Sequence, residues 1–166
     1  MRTFSRLALL TLPLFFNPAV SSAQTQGTAM TQTATGSFDV AITPEATAPA
    51  PEGGVDTARM GLMKTFSGGL QGQAVGTMIT AGRPGGNTSA SYVAIDQFSG
   101  TLDGRRGGFI LLHRGTMTKA GAPDLAIVIA PDSGTGALEG IAGSLSIDIR
   151  DGKHLYTLNY TLPPRP

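Results

Sequence analysis

The chain has no cysteine and no tryptophan, and only 14% of its residues are charged. Without cysteine there is no disulfide, no thiolate nucleophile and no sulfur ligand for a metal, so a folded domain has to be held by its core alone. There are only two histidines, His113 and His154. They show no H-x-x-x-H spacing and stand near no carboxylate-rich run. The three or four convergent ligands of a zinc centre are therefore missing, and no metal or other cofactor is expected. The nucleophile elbow G-x-S-x-G and the phosphate-binding loop of nucleotide hydrolases are both absent. Gly134-Thr135-Gly136 followed by Gly140 misses the dinucleotide fingerprint by one residue and is expected to open a hairpin rather than a helix.

Charge of one sign is also lacking. Twelve basic residues stand against eleven acidic ones, with no cluster of either, which argues against nucleic acid or an anionic membrane as partner. No heptad or 3.6-residue apolar pattern runs through the chain, whereas 23 glycines punctuate it. Together these predict an all-β protein with many turns.

The N-terminus reads as an export signal. Arg2 and Arg6 form a basic start, and Leu7 to Phe16 an apolar run too short to span a bilayer. Ser21-Ser22-Ala23 supplies small residues for cleavage, so the mature chain is expected to begin at Gln24, in the periplasm or outside the cell, with no membrane anchor left. Residues 24–32 are polar and expected to be disordered. One domain follows over 33–162, ended by the proline-rich 163–166.

Within that domain the apolar residues alternate. Phe38, Val40 and Ile42 share one face of a first strand over 33–43. Pro44 to Gly54 is expected to be a surface loop. Further strands are expected over 55–66, 70–81, 88–102, 105–118, 125–130, 142–150 and 153–162. A phrase recurs three times, ending in Gln71-Gly72, Asp103-Gly104 and Glu139-Gly140, and each is expected to mark a chain reversal.

Asp-Gly between apolar runs is a strong signal for a two-residue type I′ turn, which needs positive φ at both positions. A turn at Asp103-Gly104 pairs Phe98 with Phe109, Asp96 with Leu111 and Ala94 with His113. A turn at Asp151-Gly152 pairs Ile149 with His154, Ile147 with Tyr156 and Leu145 with Leu158, leaving one apolar and one polar face. The Glu139-Gly140 hairpin closes only with a one-residue bulge near Pro131–Gly134. The expected architecture is a single eight-stranded antiparallel up-and-down β-barrel, because closure removes sheet edges. The strand at 105–118 is apolar on both sides; either the 44–54 loop covers Ile110 and Leu112, or the protein self-associates there as a homo-oligomer.

The stretches K-T-F-S-G-G-L-Q-G at 64–72, Q-F-S-G-T-L-D-G-R-R-G-G-F-I-L-L-H-R-G-T at 97–116, S-G-T-G-A-L-E-G-I-A-G at 133–143 and Y-T-L-N-Y-T-L at 156–162 resemble the DUF3224 family of uncharacterised bacterial proteins. The resemblance implies a barrel similar to that of plant allene oxide cyclase. It supplies no catalytic residues, and the acidic residues the family often carries at the positions of Gln97 and Asn159 are absent here.

Two sets of residues are candidates for chemistry. Asp96 and His113 fall on one face, one step diagonal, where a carboxylate can fix an imidazole tautomer; in an enzyme they would be the acid/base pair. Tyr92, Phe98 and Phe109 share that face, and Tyr156 and Tyr160 line the last strand, giving an apolar wall with phenols that suits a small ligand. Simple core filling, or an Asp kept to satisfy a buried His, explains the same residues. The favoured expectation is an exported barrel that binds a small apolar or amphipathic molecule. Alternatives are a cyclase- or isomerase-like enzyme acting on a reactive apolar substrate, and a structural or self-association module.

Overall fold

The structure, a computed structural model, describes residues 30–82, 89–119 and 124–164. The expected signal segment, the loop at 83–88 and the turn at 120–123 lie outside the described residues. Nine strands are present in chain order: β1 Gln32–Ala48, β2 Thr57–Gly68, β3 Leu70–Gly82, β4 Ala90–Leu102, β5 Arg105–Met117, β6 Asp124–Ile129, β7 Thr135–Gly136, β8 Ala142–Arg150 and β9 Lys153–Thr161. Among the described residues there is no helix. All strands but the two-residue β7 form one closed antiparallel barrel in which chain neighbours are sheet neighbours, β4 pairs with β5, and β9 returns to β1.

The two Asp-Gly turns form as the alternation requires. Asp103 and Gly104 have φ of 47° and 78°, and Asp151 and Gly152 have 52° and 75°, so both residues of each turn are left-handed, as a type I′ turn demands. The pairings are those expected: Phe98 with Phe109, Asp96 with Leu111, Ala94 with His113, Ile147 with Tyr156 and Leu145 with Leu158.

Other expectations need correction. Pro44 does not end β1, which continues to Ala48 against β2 with a bulge between Pro44 and Ala46. Proline is tolerated there because β9 pairs only with Gln32–Phe38; beyond that point β1 has one free edge, and the missing N–H breaks no ladder. The β1–β2 connection is also too far round the barrel to cover β5, since β3 and β4 stand between.

The three repeated phrases do not all reverse the chain at the same place. Gly72 lies inside β3, opposite Phe66 and Gly100, and the reversal occurs at Gly68-Gly69. In the third phrase the chain leaves the β5 ladder after Ile129, which faces Leu111. It rejoins the ladder at Thr135, which faces Gly108. Three extra residues are accommodated there against β5. Against β8 a one-residue bulge does not suffice: a strict Glu139-Gly140 hairpin would set Val128 opposite Asp151, whereas β6 and β8 share the single pair Val128 with Ser144.

What the phrases share is a leucine. Leu70, Leu102 and Leu138 are each 0% exposed and close one end of the barrel together with Leu158, Tyr160 and Leu162. Gly107 makes the fit possible, because a Cβ there would fall 3.0 Å from Leu138 Cγ and 2.1 Å from the Thr135 carbonyl oxygen. Above this plug lies an aromatic layer. Phe66 meets Phe98 and Tyr156 edge-on, with centroids 5.7 and 5.6 Å apart, and Phe98 meets Phe109 at 5.0 Å. This end of the barrel is thus filled by side chains, and among the described residues the cavity lies toward the other end.

Candidate functional site

The inward residues of β4, read from the open end, place the site. Ala90, Tyr92 and Ala94 line a cavity of about 330 Å³; Asp96 lies in the next layer, 0% exposed, and Phe98 and Leu102 are packed beneath it. Every barrel strand contributes to this cavity. Its walls are Phe38, Val40, Leu62, Met78 and Ile147, and its rim carries Ile42, Met117, Leu125 and Ile149. The rim residues are all at least one-third exposed, Ile149 at 63%, so the mouth is an apolar ring open to solvent. Polar groups enter at few points, chiefly Lys64, His113, Tyr92, Thr80 and His154, and no carboxylate is among the lining residues.

Asp96 sits at the base of these groups. Its Oδ2 accepts a hydrogen bond from the Lys64 ammonium, which is itself only 7% exposed. His113 Nε2 lies 3.0 Å from the same oxygen without the geometry of a full hydrogen bond, and it has no other partner among the described residues. Burial alone would raise the Asp96 carboxyl. The contacts with His113 and Lys64 outweigh it and hold the group below its usual value, so it stays ionised. Lys64 Nζ also lies 5.5 Å from the centroid of the Phe38 ring, close enough for a cation–π attraction, and the His154 ring stacks on Phe38 with centroids 4.9 Å apart.

Two glycines create the room these side chains occupy. Gly76 faces Asp96 across the β3–β4 ladder, and a Cβ on it would lie 2.1 Å from Asp96 Oδ1. Gly115 faces Tyr92, and its Cβ would lie 2.1 Å from the tyrosine ring. Burial first, then the Asp96 charge, push the Tyr92 hydroxyl up, so it remains protonated as a donor.

Of the residues singled out from sequence, Tyr92 and His113 line the cavity and Asp96 stands directly behind it. Phe98, Phe109, Tyr156 and Tyr160 lie below, in the packed core. The Tyr156 hydroxyl accepts from Leu70 N–H at 2.7 Å and donates to the Ser67 carbonyl at 3.3 Å. The Tyr160 hydroxyl donates to Asp103 Oδ2 at 2.7 Å and lies 3.1 Å from the Gln32 side-chain amide. Both phenols are thus committed to tying strands together. Lys64 escaped the sequence reading. Its signal was present, since Leu62, Lys64 and Phe66 alternate and so put a lysine at an inward position that a buried carboxylate has to balance.

The molecule is thus a closed antiparallel barrel, plugged at one end, with a buried Lys–Asp–His cluster beneath an apolar mouth at the other. The chain belongs to the DUF3224 family, described as proteins of unknown function, which it matches over residues 34–160. A crystal structure of a DUF3224 protein of unknown function from Shewanella oneidensis MR-1 is similar to it, with 40% sequence identity and a TM-score of 0.73. That likeness covers 81% of this chain and 100% of the other. No curated protein matches the chain.

Proposed function

We propose that the protein is exported and binds a small apolar or amphipathic molecule in the mouth of its barrel. One observation carries this reading: a cavity of about 330 Å³ with apolar walls on which Lys64, His113 and Tyr92 converge. A concave, mostly apolar site with a few placed polar groups is the usual form of a small-molecule site. The exposed apolar rim gives such a molecule a path in from solvent. The basic start and short apolar run at residues 2–16 support export. Native mass spectrometry of protein purified from its own host tests the reading. A retained small molecule that is released on denaturation is expected; repeated recovery of the bare chain, together with failure of added apolar molecules to bind, overturns it.

A second reading, self-association, is favoured by the outer surface. Ile95, Leu112 and Val128 stand side by side across β4, β5 and β6 and are exposed by 51%, 37% and 45%. The chain at 130–135 reaches over β5 only as far as Ile110, whose N–H donates to Ser133 Oγ at 3.1 Å. A single monomeric species in sedimentation at high concentration dismisses this reading.

A further inference from the structure

Resting on the binding reading above, we infer that the ligand is a carboxylic acid on an apolar chain, bound with its carboxylate inward against Lys64 and His113 and its chain toward the rim. The donor inventory carries the inference. The polar side of the cavity consists of Lys64, His113, His154, Tyr92, Thr80 and Ser91; all of them can donate a hydrogen bond, and the Lys64 ammonium can only donate. Among the described residues the Lys64 ammonium has one hydrogen-bond partner, Asp96, and an ammonium has three N–H groups to satisfy. Nothing on the lining can serve as an anionic partner for a ligand cation, because Asp96 lies behind Lys64 and is 0% exposed. An acceptor head therefore meets a donor that can do nothing else, and a ligand cation finds no anionic partner on the lining.

Charge balance narrows the head to a weak monoacid. Lys64 and Asp96 already cancel, so a carboxylate entering alone would leave the buried cluster with one uncompensated negative charge, which is costly in a low-dielectric site. A proton taken up from solvent along with the carboxylate resolves this. Held on the His113 imidazole, whose Nε2 lies 3.0 Å from Asp96 Oδ2 and has no hydrogen-bond partner among the described residues, it leaves an imidazolium between two carboxylates and a cluster of zero net charge. The ionisable groups facing His113 are Lys64 from β2, Asp96 and Tyr92 from β4 and His154 from β9; β1, β3, β6 and β8 present only uncharged side chains to the cavity. The chain of the ligand then lies along Leu62, Met78 and Ile147 and leaves past Ile149.

Octanoate, octanol and octylamine separate the possibilities on the unmodified protein. Calorimetric titration is expected to give octanoate at least tenfold tighter than octanol, with octylamine weakest. Octanoate binding at neutral pH is expected to take up about one proton, read from the dependence of the heat on the ionisation enthalpy of the buffer. The Lys64→Met, Asp96→Leu double variant, which removes both charges together, is expected to bind octanol and octanoate equally. Octanol binding as tightly as octanoate to the unmodified protein, or octanoate binding without proton uptake, overturns the inference while leaving the binding reading intact. Failure of all three to bind overturns both.

Discussion

Gly76 and Asp96 are directly opposed across the β3–β4 ladder, and the space a methyl group would fill on Gly76 is taken by Asp96 Oδ1, 2.1 Å from the Cβ position, and the Ile95 carbonyl oxygen at 2.6 Å. The buried carboxylate thus depends on a residue without a side chain on the next strand. Gly76→Ala is expected to force Asp96 and its backbone apart and to destabilise the fold by about 1–3 kcal/mol, the usual cost of overpacking. Urea unfolding checks it. In a Gly76→Ala, Asp96→Ala double variant the two losses are expected to be less than additive, because the second change removes one of the two colliding groups.

Asp96→Asn leaves the Lys64 ammonium buried without its counter-charge. Removing one partner of a buried pair costs about 3–5 kcal/mol, whereas replacing both with apolar groups is often neutral. The single variant is therefore expected to be severely destabilised, and the Lys64→Met, Asp96→Leu pair to recover most of that loss. Acid titration gives an independent readout. The folded Asp96 carboxyl is held below its ordinary value of 3.8. Its contribution is therefore present above that value and is lost as pH falls through the lower folded one. The double variant is expected to show a flatter fall in stability below about pH 4 than the unmodified protein.

All three tyrosines sit where their neutral forms are favoured. Burial first, then the hydrogen bond to Asp103, push the Tyr160 hydroxyl up to about 12; Tyr92 and Tyr156 are also raised. A raised value in the folded state means that stability is complete below the unfolded value near 10 and is lost as pH rises toward the folded one. Alkaline titration followed by tyrosinate absorbance is expected to show no phenol titrating normally until the protein unfolds. Tyr160→Phe is expected to cost about 1.5–3 kcal/mol at neutral pH, the range for a hydrogen bond to a charged group, and to reduce the loss between about pH 10 and 12.

The legible part of the fold was the part set by period-two alternation and by turn chemistry. Asp103-Gly104 and Asp151-Gly152 need left-handed backbone at both positions and fix the register of their hairpins without reference to anything distant, so Asp96 and His113 could be placed on one face from sequence. The segment after Ile129 could not be read in this way. Its course is set by where Leu138 fits against Gly107 and the barrel plug, a contact between residues far apart in the chain. Pro44 does not end β1 because proline ends a strand only where its N–H is needed, and a free edge of β1 is a property of the closed barrel. Lys64 was missed for a related reason. A lysine among alternating apolar residues reads as an interruption until the partner that neutralises it, here Asp96 on a strand two removed in the sheet, is in view. The same limit applied to Phe98, Phe109, Tyr156 and Tyr160, whose face was legible but whose depth in the barrel was not.

On the proposed reading one end of this barrel takes the ligand, and the other is a packed plug. Methyl-resolved nuclear magnetic resonance during titration with octanoate tests it most directly. Saturable shifts at Leu62, Met78 and Ile147, with Leu70, Leu102 and Leu138 unmoved, are the predicted result. Shifts that do not saturate, or that concentrate at the plug or at Leu112 on the outer face, would contradict it.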